Sequence, residues 1–272
     1  MKLTLLGTGT CASDFPHIEN RYPPGFLLET QDTKILIECS EGIRFRLQKI
    51  NTKFDEIEHI IISHSHPDHC ALFHFIQSVF VNKLWKEESN KEKTINIYCP
   101  NHIAENYQSI WQFYVPEMEG KPWPFPKIKL HPMSSTDNSD VTIADKIKIK
   151  AFPVYHGFGK VDCLAFRIES RNKVFTFSGD TGICDNICKA SKNADLFLCE
   201  IGGRIGDFEI SKTYGHLNPF QAGEIAQKSK VKKLTFFHIS GLDSNENIIK
   251  DCRKSGYLGE VEISQDFSEI HF

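Results

Sequence analysis

The chain has 272 residues, 40% of them apolar and 25% charged, and a formal net charge of -3 at pH 7. These values are ordinary for a water-soluble globular protein, leave room for one large α/β domain or two small ones, and argue against a generally basic nucleic-acid binder. No apolar run approaches the ~20 residues a transmembrane helix needs, and nine scattered cysteines without a secretory leader point to reduced thiols in a cytoplasm.

Residues 1–10 alternate as a strand and run into Gly7-Thr8-Gly9, a tight turn with neither Walker nor dinucleotide spacing. A polar, Pro-bearing loop follows over 13–24. Residues 25–29 and 33–38 read as two strands joined through Thr30-Gln31-Asp32. Ile43, Leu47 and Ile50 place one apolar face on a helix over 41–50. An apolar strand spans 57–62, and a helix continues over 71–85 after the motif described below. A charged turn at 87–93 precedes a strand at 94–99 and a helix at 103–114 that carries Tyr107, Trp111 and Tyr114 on one face, a spacing more typical of packing than of base stacking. The stretch 116–132 reads as irregular, since Lys121-Pro-Trp-Pro-Phe-Pro126 is incompatible with a helix interior or central strand. Trp123 and Phe125 are then either a substrate-binding lip or packed surface residues. Strand-like pattern resumes from Val141 to Tyr155, and a hairpin over Ser170-Arg171-Asn172 joins strands at 163–169 and 173–178. A helix at 186–193, a strand at 195–199 and a glycine-bearing loop at 200–214 lead to a helix opened by Asn218 as N-cap with Pro219 at its first position. A strand at 232–237, a helix at 245–255 and a strand at 260–264 complete the order. Cys184 and Cys188 stand at i, i+4 but lack the second pair a cysteine metal site needs.

Residues 64–69 read His-Ser-His-Pro-Asp-His, on a turn from an apolar strand to a helix, where side chains converge. Three imidazoles and a carboxylate in six residues suit zinc or another borderline transition metal. A His-rich surface turn is the bland alternative, but it leaves a downstream recurrence unexplained. His156 follows a strand at 152–155, Asp180 one at 174–177 and His238 one at 234–237; His216 follows a loop instead. In isolation His156 reads as a structural histidine and Asp180 as a turn aspartate; beside residues 64–69 both read as metal ligands. His17, His59, His74, His102, His131 and His271 read as packing or surface residues.

These residues together resemble the metallo-β-lactamase superfamily: the His-x-His-x-Asp-His run, His156, Ser178-Gly179-Asp180-Thr181 and His238 at a strand end, in that order across essentially the whole chain. The resemblance implies an α/β fold, a four-layer αββα sandwich of two mixed sheets flanked by helices, as a single domain over residues 1–272. It also implies two divalent metal ions, zinc first, with manganese or iron as alternatives. His64, His66 and His156 would hold one, Asp68, His69 and His238 the other, and Asp180 would bridge them. Two metals about 3.5–4 Å apart can share a hydroxide and clamp attacking and leaving oxygens. Neutral histidines and ionised aspartates are the ligand states required.

Within the superfamily the sequence is most similar to the ribonuclease Z-like branch and its phosphodiesterase relatives. The matching residues are Leu5-Leu6-Gly7-Thr8-Gly9, Phe177 through Thr181, and Gly215-His216-Leu217 followed by Gln221-Ala222-Gly223-Glu224-Ile225-Ala226. The resemblance implies catalytic roles for His216, as proton donor and phosphate contact, and for Asp68, as a ligand that also orients the nucleophile. One departure matters. That branch typically carries a long tRNA-gripping arm between the residues matching His156 and Asp180; here the interval is 24 positions with only Lys160, Arg167, Arg171 and Lys173 as cations. Gripping tRNA needs several phosphate contacts from Lys and Arg, and Lys121, Lys127 and Lys129 in the Pro-rich stretch are the other cations available. The expectation is therefore a phosphodiesterase using a metal-bridging hydroxide on a small phosphodiester or nucleotide-like substrate, with RNA less favoured, no membrane association, and a homodimer by resemblance only. The alternative is an ester, lactone, thioester or sulfate hydrolase with the same metal centre, which an apolar pocket lined by Trp123 and Phe125 would favour. A metal-holding sensor without turnover is a third reading, opposed by the full ligand set and His216. A di-iron redox protein would ordinarily need a flavin domain.

Overall fold

The computed structural model describes residues 1–11, 21–85, 94–114, 127–133, 140–144 and 146–272. Its strands form two seven-stranded sheets. The first contains β1 (Lys2–Gly7), β2 (Gly25–Glu29), β3 (Lys34–Ile37), β4 (His59–Ile61), β5 (Thr94–Pro100), β6 (Lys127–Met133) and β14 (Glu269–His271), in the order β14-β1-β2-β3-β4-β5-β6. Pairing is antiparallel from β14 to β3 and parallel from β3 to β6. The second contains β7 (Asp140–Ile143), β8 (Ile147–Val154), β9 (Cys163–Ser170), β10 (Lys173–Phe177), β11 (Leu196–Glu200), β12 (Lys233–Phe237) and β13 (Glu260–Ile263), antiparallel from β7 to β10 and parallel from β10 to β13.

Central strands such as β2 and β11 read as nearly continuous apolar runs because both faces of each sheet are covered there, whereas β6, β7, β8 and β13 toward the edges alternate apolar with polar residues. Ile35 and Ile37 of β3 enter a core between the sheets with Leu3, Leu5, Phe26 and Ile61, and opposite them Phe175, Phe177, Leu196, Leu198 and Phe237. The intervening Leu36, with Leu27 and Ile60, faces a second core under helices α1 (Ile43–Lys49), α2 (Leu72–Trp85) and α3 (Asn101–Tyr114). Phe197, Cys199, Leu234 and Phe236 enter the third, under α4 (Asp185–Ser191), α6 (Pro219–Lys228) and α7 (Asn245–Lys254). The order helix, sheet, sheet, helix is the αββα sandwich expected. Burying each Leu, Ile or Phe contributes roughly 1.5–3 kcal/mol, so the three cores fix the strand ends that carry the site.

Local signals explain most boundaries. Arg171 and Asn172 have φ of 48° and 64°, the left-handed pair that a two-residue hairpin turn between β9 and β10 requires. The Asn218 side chain accepts from the Gln221 backbone while the Gln221 side chain returns a bond to the Asn218 backbone, a full capping box at α6. Three expectations need correction. Residues 127–132, read as irregular, form strand β6; it is the edge of its sheet, where Pro132 interrupts no ladder on its outer side. The loop at 200–214 contains a one-turn helix, α5 (Ile210–Thr213). Finally, β14 returns beside β1, a pairing its three residues do not announce. The run 121–126 with Lys121, Trp123 and Phe125, the charged turn at 87–93 and His17 lie outside the described residues. Tyr107 stacks on Trp111, and both pack on Phe73 of α2, so these aromatics join helices. Among the described residues no helix is long and apolar enough to cross a membrane.

Candidate metal centre

The parallel strands of both sheets end on the same side of the sandwich, the edge where ligands of α/β sheets ordinarily bind. From the end of β4 the chain enters Ser63 and His64, both buried, and the Ser63 hydroxyl lies 2.9 Å from His64 Nδ1, which turns Nε2 toward the site. The His69 and Cys70 amides both donate to the His66 carbonyl at 2.9 Å, closing the tight Pro67-Asp68 turn. The Cys39 amide then donates to the His69 carbonyl and ties the turn to the end of β3. His156 follows β8, with its Nδ1 3.0 Å from the Gly215 carbonyl. Asp180 follows β10. His238 follows β12 with φ of 59°, a left-handed conformation costly for a non-glycine residue.

These ends converge on one oxygen. Asp180 Oδ2 lies 3.4 Å from His69 Nε2, 3.4 Å from His238 Nε2, 3.8 Å from His64 Nε2, 3.8 Å from His156 Nε2 and 4.0 Å from His216 Nδ1. Asp68 Oδ2 stands 3.7 Å from both His69 Nε2 and His238 Nε2. The donor atoms group as His64, His66, His156 and Asp180, as Asp68, His69 and His238, and as Asp180, His216 and His238, each set within 4.8 Å. Ligand atoms about 2.0–2.2 Å from one tetrahedral ion sit roughly 3.4 Å from each other, so this spacing fits cations between the side chains. A second observation agrees. Buried His64 Nε2, both ring nitrogens of His69 and of His238, and Asp180 Oδ1 have no hydrogen-bond partner among the described residues. Buried polar atoms left unpartnered are costly, and cations bound among these side chains would satisfy the Nε2 atoms of His64, His69 and His238, which all face Asp180.

Without a cation the site is electrostatically divided. Burial, reinforced by the neighbouring imidazoles, pushes His64 well below the usual histidine range and lowers His156 as well, against the opposing charge of Asp180. Burial opposes the charge on His69 too, yet Asp180 and Glu38 together raise it. Burial would raise Asp68, but His238, 3.7 Å away, and the charge of His69 hold it down at about 2. Asp180 is likewise held low against its own burial, by His238, His69 and His64. Both aspartates are thus ionised at neutral pH, the state a metal requires.

Two glutamates absent from the sequence reading organise the site. Glu200, fully buried at the end of β11, accepts from the amides of Gly202 at 2.6 Å, Leu217 at 2.8 Å and Thr181 at 3.2 Å, and its Oε2 lies 3.4 Å from His216 Nδ1. Burial would depress His216, but Glu200's charge and hydrogen bond, with Asp180's charge, lift it to about 9. Glu38, also buried, accepts from the Ser63 amide at 2.9 Å and stands 3.5 Å from His69 Nδ1. Each ends an apolar strand run, and that pattern was the available signal. Gly202 lets the rings in: a Cβ there would meet His216 Nδ1 at 2.8 Å and His238 Nδ1 at 2.9 Å.

The other histidines stand apart. His59, Tyr98 and His131 form a ladder across β4, β5 and β6, His102 pairs with Asp162 at 3.5 Å, and His74 and His271 are exposed. In the interval between His156 and Asp180 the chain makes only a 3-10 turn and the β9–β10 hairpin. Arg167 bonds Glu169 and the carbonyls of Ala190 and Lys192, Arg171 pairs with Asp32, and Lys173 stands 4.0 Å from Asp195.

A model of the beta-lactamase superfamily domain matches residues 33–239. The probable metallo-hydrolase YhfI of Bacillus subtilis is 24% identical, with 97% of each chain covered, and its crystal structure superposes with a TM-score of 0.77 over 99% of this chain and 98% of that one. The ribonuclease Z of Thermoplasma acidophilum is 24% identical over 92% of this chain and 90% of its own. Human tRNase Z, short form, is 20% identical, with a TM-score of 0.75 over 100% and 99% of the two chains.

Proposed function

The chain belongs to the beta-lactamase superfamily domain family, and from that premise we propose that this metal-dependent hydrolase is a dinuclear phosphodiesterase of small, nucleotide-like phosphodiesters. His64, His66 and His156 would hold one divalent ion and Asp68, His69 and His238 the other, with Asp180 between them; zinc suits this set of nitrogen and carboxylate donors. When bound, such ions acidify water to near neutral pH and polarise a phosphoryl oxygen.

The observation that carries the phosphodiester reading is His216. Glu200 faces its Nδ1, so Nε2 is the nitrogen left to act outward. An imidazolium at that position neutralises charge on a phosphoryl group and delivers a proton from Nε2 to the departing alkoxide. Glu200 acts through His216 by holding its ring and keeping it charged. Asp68, ionised 3.7 Å from His69 and His238, would orient the attacking oxygen. Two of the similar proteins are named as ribonucleases, and ribonucleases break phosphodiesters. Transfer RNA itself is not favoured as substrate, because the interval after His156 is short and Arg167, Arg171 and Lys173 are engaged with local partners. The test is a panel of bis-p-nitrophenyl phosphate, cyclic nucleotides, a tRNA precursor and simple carboxylic esters, with metal content measured on the same sample. Turnover of phosphodiesters with about two ions per chain is expected. Turnover confined to esters, or one ion or fewer, would refute the reading.

A further inference from the structure

Phe158 is a phenylalanine that the fold displays at a conformational cost. It stands 57% exposed, with φ of 58°, between Gly157 at 54° and Gly159 at 69°. Three successive left-handed residues are rare, and for a bulky side chain the conformation is strained. Burial does not repay that strain, since most of the ring faces solvent. Among the described residues its ring meets that of Tyr214, itself 55% exposed, 5.1 Å away and inclined at 62°. The pair is not remote from the chemistry. Phe158 lies two residues after His156, Tyr214 lies two residues before His216, and those two imidazoles are 4.9 Å apart. The segments are locked together: the Gly157 amide donates to the Tyr214 carbonyl at 2.8 Å, and the Tyr155 hydroxyl donates to the Lys212 carbonyl at 2.7 Å.

Resting on the phosphodiesterase reading above, we propose that Phe158 and Tyr214 form a stacking platform for the nucleobase of a small nucleotide diester whose phosphate sits at the metal centre. The described site supplies charge for a phosphate, but charge alone does not select what is esterified to it. A flat base stacks on an aromatic face with little regard to sequence. A preset, rigid platform loses little entropy on binding. Two residues span at most roughly 7 Å, a reach comparable to the single sugar that separates a base from its phosphate. The inclined rings offer a face and an edge, the arrangement aromatic groups prefer.

The test compares the methyl diester of adenosine 5′-phosphate with that of ribose 5′-phosphate, which lacks the base, followed by phosphorus NMR on the metal-loaded protein. Base stacking is expected to favour the adenosine diester about ten-fold or more in kcat/KM. Phe158→Ala and Tyr214→Ala should each erase most of that preference through KM, leaving kcat and the ribose diester nearly unchanged, while Phe158→Trp should retain it. Calorimetric binding of adenosine 5′-phosphate, to the loaded and to the metal-free protein, should weaken about ten-fold in the alanine variants. Equal use of both diesters by the unaltered protein, or unchanged nucleotide affinity in both alanine variants, would overturn the platform while leaving a phosphodiesterase standing. If neither methyl diester nor any phosphodiester of the panel above is cleaved, the phosphodiesterase reading fails, and calorimetry alone decides the platform. Preference for an oligoadenylate over the mononucleotide diester would overturn the assignment to a small nucleotide.

Discussion

Replacing Glu200 by Gln keeps the shape of the side chain and removes one acceptor. Both oxygens of Glu200 are in use: Oε1 takes the amides of Thr181 and Leu217, and Oε2 takes Gly202 and faces His216. A glutamine has one oxygen, so its NH2 must point at donors on one side or the other. Turned toward Gly202 and His216, it forfeits a 2.6 Å amide bond, and losing a hydrogen bond to a charged acceptor costs about 1.5–3 kcal/mol. It also forfeits the coupling that helps lift His216 to about 9. A displacement of that size from the ordinary 6.5 corresponds to about 3 kcal/mol, shared with Asp180. Because the folded-state value is raised, this stabilisation is fully present below pH 6.5 and fades as pH rises through about 9. The metal-free E200Q protein should therefore be less stable than its parent by about 3–5 kcal/mol at pH 6 and by clearly less at pH 10. Urea unfolding at both pH values measures this, and nitrogen NMR of the imidazoles should find His216 titrating at least about one unit lower. A His216 that still titrates near 9 in the variant, or a stability loss that does not change with pH, would refute the argument that Glu200 charges this imidazole.

Asp180→Ala should remove the carboxylate central to both clusters, leaving fewer than two ions per chain by elemental analysis and turnover at background. His216→Ala should keep its ions and lose turnover by about 10²–10⁴-fold; loss of metal as well would place His216 in the shell, as its grouping with Asp180 and His238 allows. The metal-free protein should weaken in mild acid. His64 and His156 stay neutral in the fold at pH values where the unfolded chain protonates them, so stability should fall below pH 6.5 by about 1.4 kcal/mol per pH unit for each. A flat stability profile between pH 6.5 and 5 in urea titrations would contradict that account.

The strand ends were legible because both sheets are covered on both faces. Mainly apolar runs such as 57–62, broken by Glu58 and His59, and 234–237, broken by Thr235, mark buried strands, and the polar residue that follows each lies at the sheet's carboxyl edge. A run of that kind precedes His64, Asp180 and His238, and a short apolar segment ending antiparallel β8 precedes His156, so all four are legible as strand-end residues. Residues 127–132 read as irregular because of their proline-rich approach and Pro132, whereas an edge strand has an outer side on which a proline breaks no ladder. Glu200 is hidden in the sequence for a different reason. A glutamate closing a strand is usually solvated, and its three amide donors come from residues 181, 202 and 217, which only the fold brings together. The Phe158 turn is similar: Gly-Phe-Gly permits left-handed backbone, but nothing in the triplet says that a tyrosine 56 positions later will meet it.

Each half of the sandwich solves the same problem in the same way. In the first sheet, Glu38 follows β3, donates its amide to Ile61 of the parallel neighbour, accepts from the Ser63 amide in that neighbour's exit turn, and faces His69. In the second, Glu200 ends β11, accepts from the Thr181 amide in the exit turn of its parallel neighbour β10, and faces His216. A carboxylate in each position satisfies amides that leave a sheet edge and would otherwise be buried unpaired. It also presents a negative face to an imidazole, which fixes the ring and sets its charge. The two imidazoles differ in what else they meet. His69 lies fully buried against Asp180 and Asp68, whereas His216 is 18% exposed in its side chain at the margin of the cluster. One device thus yields two outcomes: a ring enclosed among donors where a cation fits, and a charged ring with one nitrogen turned toward whatever the cations bind.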